Sequence, residues 1–396
     1  MGALRAIVFN ADESFGPSLR STLTSFESVR IVAEVDEPAV LSHVVHQFTA
    51  EVLVLHLDPN PESVLPIAGE VATNNPQLAV FAVSESTDGQ LILSVMRRGF
   101  REFITKPIDR DALEEAFSKI SHQVDERGPS GKLVTVLGTT GGVGATCLAT
   151  NLAAELASMC QGRVTVVDLD YRFGQVATML DVSPTYTIAD LAHSPEQLEQ
   201  QVIERALVKH TCGAYVLSRP AHFTQSDNIT AANCVGVLTS LVGISEYVIV
   251  DGPNRYDVGA SAILDVADVN LLVIQLMVPA VRNAQRILQG MQEAGFNLDR
   301  THLVCNRIGK ESGPLAISDV ESTLNKRIYT TIPDDWPTVS AAVNLGEPLC
   351  SRGPKTKVRA AIRELAERIH LPAGTDDSGH SSKRGNRLLA KIFSDA

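Results

Sequence analysis

Four glycines, Gly138, Gly141, Gly142 and Gly144, crowd one short stretch, and Thr146 follows two places later. Glycines of this density between a strand and a helix can hold phosphate. Backbone N–H groups and the positive end of the helix surround the anion, and a hydroxyl can ligate magnesium. Against the spacing G-x-x-x-x-G-K-[ST], Gly144 takes the second glycine place and Thr146 the hydroxyl place. Thr139 stands at the first glycine place, with Gly138 one residue early, and Ala145 stands at the lysine place. Two other readings compete. One is a glycine-rich turn in an ordinary α/β domain. The other is a G-x-G-x-x-G dinucleotide loop, which the glycine spacing disfavours.

Further chemistry-bearing residues recur where apolar strand patterns end. Val164–Val167 runs into Asp168-Leu169-Asp170, Tyr247–Val250 into Asp251-Gly252-Pro253, and His302–Cys305 into Asn306-Arg307. Acids at the carboxyl ends of strands lie where open α/β sheets bind ligands. An aspartate ending a buried strand can orient magnesium through water. Each such aspartate also has a plain reading as a turn residue.

The elements that must position these groups alternate strand and helix patterns. In residues 4 to 122 the strands are Ala6–Phe9, Ile31–Val35, Val52–Leu57, Ala79–Val83 and Glu102–Ile104. The helices between and after them are Ser18–Phe26, Ala39–Phe48, Ser63–Asn74, Gly89–Arg98 and Asp111–His122. Five such units imply a doubly wound parallel sheet of flavodoxin-like kind. Residues 123–131, QVDERGPSG, read as a linker. A second α/β domain spans 132–371, with its glycine loop between the strand Leu133–Leu137 and a helix carrying Leu148, Leu152 and Leu156. The fold class is therefore α/β, in two doubly wound domains.

A chain of 396 residues with 44 % hydrophobic content suits two or three globular cores. A net charge of −12 offers no general attraction to nucleic acid or anionic membrane. The six cysteines are scattered without a C-x-x-C pair, which fits free thiols in a reducing cytoplasm. No signal-peptide segment opens the chain, and the best apolar run, Leu271–Val281, is too short to span a bilayer.

Residues 4 to 122 resemble a response-regulator receiver domain. Lys106-Pro107 follows the fifth strand and Ser84 ends the fourth, as in receivers. The acids depart from that pattern. His56 stands at the phospho-acceptor place, Asp58 lies two residues on, and Asn10-Ala11 replace the paired acids, with Asp12 and Glu13 close by. Phosphotransfer to aspartate needs a nucleophilic carboxylate and magnesium-holding acids. The expectation is an inactive, atypical receiver used for contacts, with His56 a strand-end histidine rather than a phosphoryl acceptor.

Residues 132 to about 370 resemble the ParA/MinD group of P-loop ATPases, whose motif is K-G-G-x-G-K-[ST]. Here it reads Thr140-Gly141-Gly142-Val143-Gly144-Ala145-Thr146. The resemblance implies ATP and Mg2+ as cofactors, with the N–H groups of Gly141, Gly142, Val143, Gly144, Ala145, Thr146 and Cys147 on the phosphates. It implies Thr146 on magnesium, Asp168 and Asp251 orienting it through water, and Asp170 as the candidate to position a water. Asn306 would read adenine, beside Arg307 and Pro333. Both group lysines are missing, at Thr140 and Ala145. Losing one such stabilising donor typically costs about 100- to 1000-fold in rate, so hydrolysis is expected to be very slow or absent.

A receiver-like domain ahead of such a domain looks like the CpaE/TadZ family of pilus-assembly proteins. That resemblance implies a homodimer working with the Tad (Flp) secretion ATPase and inner-membrane pilus components at the cytoplasmic face of the inner membrane. The alternatives are a pseudo-ATPase scaffold with a vestigial site and, against the acidic balance, a DNA-partitioning or septum-positioning ATPase. Residues 372–396 read as a disordered tail ending in a short amphipathic segment, Arg387–Phe393, with possible membrane or partner contact.

Overall fold

The computed structural model describes residues 3–125, 131–193, 198–227, 229–252, 256–309 and 315–370. Most of the stretch read as a linker, Pro253 and the whole tail from 372 lie outside the described residues.

The first sheet holds β1 (Leu4–Phe9), β2 (Val29–Val35), β3 (Val52–His56), β4 (Ala79–Ser84) and β5 (Glu102–Thr105). All neighbours pair in parallel in the order β2-β1-β3-β4-β5, the flavodoxin-like doubly wound order. The central strands are apolar on both faces because helices cover both. Helices Gly16–Thr24 and Arg110–Asp125 pack on one face through Leu19, Leu23, Leu113 and Phe117. Leu41, Leu65, Ala68 and Val95 come from the helices of the other face. Helix Arg110–Asp125 runs three residues past its expected end, into the stretch read as linker. Its apolar spacing continues from Leu113, Phe117 and Ile120 to Val124, which packs on the same core.

The second sheet holds β6 (Lys132–Gly138), β7 (Val164–Asp168), β8 (Val208–Lys209), β9 (Tyr215–Leu217), β10 (Tyr247–Asp251), β11 (Val269–Ile274), β12 (Thr301–Ile308) and β13 (Ile328–Pro333). Their order is β13-β12-β11-β6-β10-β7-β9-β8, parallel except for β8 against β9. The chain leaves β6 toward β7 on one side, while β11 to β13 fill the other. β6 therefore ends at the topological switch point, where ligands bind in open α/β sheets. Helix Ala145–Met159 follows β6. It is rich in alanine and leucine, contains no proline, and ends where Cys160 turns extended. Its residues 148–156 are all buried between the sheet and helix Lys357–His370. Truncating the fully buried Leu152 to alanine should cost about 2–5 kcal/mol. The buried Glu155 carboxylate accepts from Arg359 Nε at 2.7 Å and holds the last helix in place.

The two sheets share a core. Val32, Val35, Leu41 and Phe48 of the first unit form one apolar cluster with Val235, Leu238 and Val242 from helix Ala231–Val242 and with Ile263 and Val266. Polar contacts edge this seam: Arg5 Nη1 donates to Thr239 O at 3.1 Å, and Arg20 Nη2 pairs with Asp265 at 2.6 Å. Several elements were not read from the sequence: the helix Val258–Val266, β8, β13 and the short helices Val176–Met179 and Leu349–Arg352. No helix among the described residues is long and apolar enough to cross a membrane.

Candidate functional site at the end of β6

The glycine loop begins where β6 leaves the sheet. Thr139 anchors its base: its N–H and its hydroxyl both donate to Val273 O, each at 3.1 Å. Asn283 Nδ2 donates to Thr139 O at 2.9 Å. Gly142 and Gly144 have φ of +74° and +95°, a region side chains rarely enter, so the loop curls as only glycine permits. Gly144 is needed twice over, since a Cβ there would lie 2.4 Å from Asn306 Nδ2. Gly144 caps a helix of 15 residues, whose positive end faces the loop.

A cavity of about 350 Å³ lies against the loop, walled by Thr140, Gly142, Ala145, Thr146 and Arg307. Its far wall is apolar: Met179, Trp336, Val339 and Val343. An adjoining pocket of about 50 Å³ shares Gly144, Cys147, Arg307 and Trp336 and reaches Asn306 and Pro333. The Arg307 guanidinium sits 5.6 Å from the Trp336 ring centroid, and Arg307 takes a left-handed φ of +57° to reach there. A larger cleft of about 660 Å³ lies between the two units, but it has no glycine loop, and Arg20 there is already paired with Asp265. The cavity beside the loop is the candidate site.

Seven expected residues line this cavity, namely Gly142, Val143, Gly144, Ala145, Thr146, Cys147 and Arg307. Asn306 and Pro333 wall the pocket alone. Gly141 is exposed on the outer turn of the loop. Burial pushes the Cys147 thiol up to about 11, so it is no nucleophile. Asn306 is engaged with the protein itself: its Nδ2 donates to Val143 O at 2.8 Å, and its Oδ1 accepts from Arg307 N at 2.9 Å. The role expected for it, reading a base, would require that bond to open; as it stands, Asn306 pins the loop.

The acids divide. Asp251 ends β10, is buried, and has the Thr146 hydroxyl close enough to lower its pKa. Its Oδ2 is buried with no hydrogen-bond partner. Burial, then the charge of Asp168, pushes its carboxyl well above the ordinary carboxylate range. An orphaned carboxylate oxygen beside a hydroxyl fits a hard divalent cation such as Mg2+. Asp168 is placed differently from the expectation. It is fully buried beneath Gly174, where a Cβ would lie 2.0 Å from its Oδ1. Its oxygens accept from the N–H groups of Asp170 and Val176, each at 3.1 Å. Burial raises it to about 7. Asp170 Oδ1 accepts from Phe173 N at 3.0 Å and from Arg172 N at 3.3 Å, which shapes the turn after β7. None of Asp168, Asp170 and Asp251 lines the cavity in this arrangement; Asp251 lies behind it, next to Thr146.

Reasoning from sequence missed the apolar wall. Trp336 is the single tryptophan of the chain, which was the available signal, and it opens the helix Trp336–Leu345.

A second cluster sits at the carboxyl edge of the first sheet. Asp58 accepts from Ser84 Oγ at 2.7 Å and from Glu85 N at 2.9 Å, and Lys106 Nζ lies 2.9 Å away. Burial pushes its carboxyl up, but the bonds from Lys106, Ser84 and Glu85 outweigh that and leave it below its ordinary value. His56 is buried, with Nδ1 2.6 Å from Asn10 Oδ1; burial and then Lys106 lower its pKa.

The sheet order, the curled loop at its switch point and the hydroxyl–carboxylate pair behind it define a P-loop nucleotide-binding domain. Residues 134–349, more than half of the chain, match the CobQ/CobB/MinD/ParA nucleotide binding domain, and the protein belongs to that family. The chain is 23 % identical over 245 residues to the septum site-determining protein MinD of Thermotoga maritima, covering 60 % of this chain and 88 % of that protein. It is 26 % identical over 245 residues to MinD of Bacillus subtilis, covering 60 % and 89 %. In fold it is similar to a ParA family ATPase from Chlorobium tepidum (TM-score 0.58, 20 % identity, 61 % of this chain and 99 % of that one). It is also similar to MinD of Pyrococcus horikoshii complexed with Mg-ADP (TM-score 0.54, 20 % identity, 62 % and 98 %).

Proposed function

We propose that this protein is an ATP-binding switch protein of the ParA/MinD kind that helps to assemble and position a Tad (Flp) pilus machine, and that it hydrolyses ATP very slowly or not at all. The observation that carries nucleotide binding is the loop cavity, where two left-handed glycines and a helix N-terminus face about 350 Å³ of space. The N–H groups from Gly142 to Cys147 would hold the phosphates. Thr146 and Asp251 would hold Mg2+, which supplies charge neutralisation to the phosphate oxygens. With threonine at 140 and alanine at 145, Arg307 is the cationic side chain on the cavity wall among the described residues and would face the phosphates or ribose. Trp336 and Pro333 would flank the base. A relative of known structure was complexed with Mg-ADP, which supports this choice of ligand.

Slow turnover follows from charge. Stabilising the transferring phosphoryl group is the main task in this chemistry, and neither lysine is present. The turn bearing Asp170 lies off the cavity, and among the described residues no carboxylate or histidine lines the wall to activate water.

The pilus assignment rests on the resemblance to the CpaE/TadZ family. The five-stranded unit, with the flavodoxin-like order, supports reading it as an atypical receiver whose Asp58 is held by Lys106 and Ser84. Acting as a switch implies a homodimer. Phe173 and Phe223 support one: they pair edge to face at 6.2 Å yet are 69 % and 54 % exposed beside the turn that covers Asp168. The place of action would be the cytoplasmic face of the inner membrane, with the Tad secretion ATPase and inner-membrane components as partners and no nucleic acid.

Calorimetry with Mg-ATP tests the reading. Binding near one nucleotide per chain, with negligible phosphate release, is the expected result. A second reading, a pseudo-ATPase scaffold, is favoured by one observation, the Asn306 amide locked onto Val143 O. Undetectable binding together with an intact fold would select it.

A further inference from the structure

We propose that Cys160, Glu246 and His370 form a binding site for one zinc-class divalent cation, at the opposite end of the second sheet from the nucleotide loop. The ligand atoms of these three residues all lie within 4.8 Å of one another. Cys160 Sγ is 3.7 Å from His370 Nδ1. Around a tetrahedral Zn2+, sulfur and nitrogen ligands stand roughly 3.5 Å apart given the usual bond lengths, so this pair is already at coordination spacing.

The surroundings prepare all three groups. Glu246 Oε2 accepts from Gly162 N at 2.8 Å, which holds the carboxylate against the cysteine. The nearby cations are engaged elsewhere: Arg163 pairs with Glu204 at 3.1 Å, and Lys132 Nζ donates to Ile369 O at 3.3 Å. Among the described residues none forms an ion pair with Glu246, so its charge is free to meet a metal. His370 Nδ1 has two neighbours, the Cys160 thiol and the Tyr247 hydroxyl at 3.2 Å. In the ring tautomer protonated at Nε2, Nδ1 turns its lone pair toward the cluster, where it can ligate a metal. Bonds that orient a carboxylate and an imidazole in this way are the usual support of a metal site.

Thiolate and imidazole favour Zn2+ over the hard cations that suit Thr146 and Asp251. On binding, Cys160 would lose its thiol proton to solvent and form the S–metal bond, with Nδ1 and one Glu246 oxygen completing three ligands. The cluster faces an open cleft of about 640 Å³, which leaves the fourth position to water. The three ligands come from distant segments. Cys160 ends helix Ala145–Met159, Glu246 precedes β10, and His370 ends helix Lys357–His370. Lys132 N donates to Glu246 O at 2.9 Å, so the first residue of β6 is tied to the same point. An ion here would staple the helix of the phosphate loop to the last described helix and fix the point from which residues 371–396 continue.

The test uses the full chain, stripped with a chelator and titrated with Co2+ as an optical probe, then with Zn2+ in competition. One equivalent should bind with a thiolate-to-cobalt charge-transfer band. Cys160→Ser should abolish that band, and Cys212→Ser should keep it. Glu246→Gln and His370→Ala remove direct ligands and should weaken Zn2+ retention by at least the roughly 10- to 100-fold that losing an outer-shell partner costs. A missing band, or one that survives Cys160→Ser, overturns the proposal. Should a variant fail to fold, wild-type protein decides: saturating Zn2+ must slow alkylation of Cys160 in peptide maps, and an unchanged rate overturns the site. None of these readouts depends on nucleotide.

Discussion

Asp168 and Asp251 are register partners at the carboxyl ends of two neighbouring parallel strands, and both carboxyls are buried. Packed beside it beneath the loop, Asp168 raises the pKa of Asp251 beyond what burial does alone, while Asp168 itself is raised chiefly by burial. Asp168 rises from 3.8 to about 7. Its folded pKa exceeds its unfolded one, so the protonated form is favoured by folding. The penalty is absent below the unfolded pKa and grows as pH rises through the folded one. Stability should therefore fall as pH climbs from about 4 to about 7. Asp251→Asn removes one buried charge with little change of shape. It should raise the melting temperature at slightly alkaline pH and flatten its pH dependence, while eliminating any stabilisation by Mg2+. Melting curves across that range check this; an unchanged slope would mean that the two carboxyls do not interact.

Ala145 stands on the cavity wall at the first turn of the loop helix. A lysine there would meet the phosphates with a charge-assisted bond, worth about 1.5–3 kcal/mol. Ala145→Lys should thus tighten Mg-ATP binding about 10- to 100-fold. Adding Thr140→Lys should recover measurable turnover. Calorimetry and phosphate release test the two steps separately. If Ala145→Lys leaves binding undetectable, the loop is not open to phosphate and the scaffold reading stands.

The sequence makes the loop legible because glycine density and strand–helix alternation are local signals. Gly142, Gly144 and Thr146 stand on the loop as that spacing implies, and the strand ends bring Asp168 and Asp251 side by side. What cannot be read locally is orientation. Nothing in Asp168-Leu169-Asp170 says that Gly174 folds back over the first carboxylate. Nor does Asn306 reveal that its amide will bond Val143, 163 residues away. β13 escaped notice for a related reason. It is a half-buried edge strand, IYTTIP, whose apolar pattern is weak because one side pairs with nothing. The seam between the two units is likewise a tertiary fact, since Val235 and Leu238 look like any helix core until β2 is laid against them.

Trp336 offers a direct report on the cavity. It is 60 % exposed, stands beside Arg307, and is the one tryptophan in the chain. Intrinsic fluorescence excited in the tryptophan band therefore reports this position alone. Mg-ATP should change its intensity and shift its emission to the blue as the base covers the ring. Trp336→Ala should weaken binding by about 1–3 kcal/mol, the range for stacking a base on an aromatic side chain. Binding measured by calorimetry with no change in fluorescence would place the base elsewhere.

Asp58 carries the last prediction. Its carboxylate already holds the Ser84 hydroxyl, the Glu85 N–H and the Lys106 ammonium, which are the groups that would otherwise receive an incoming phosphoryl oxygen. A phosphoryl donor would have to displace all three, and Asn10 and Ala11 provide no carboxylates for magnesium beside it. Incubation with acetyl phosphate and Mg2+ should leave the intact mass unchanged. Lys106→Met should instead act on stability, because it leaves a half-buried carboxylate without its cation. The melting temperature should drop, and the drop should shrink as pH falls through the carboxylate range, where Asp58 takes up a proton and no longer needs the cation. The sign follows from the folded pKa of Asp58 lying below its ordinary value: the stability it supplies is present above that value and lost as pH falls. A stoichiometric acid-labile adduct on Asp58 in the wild-type chain would show instead that the site is reactive and that Lys106 assists transfer.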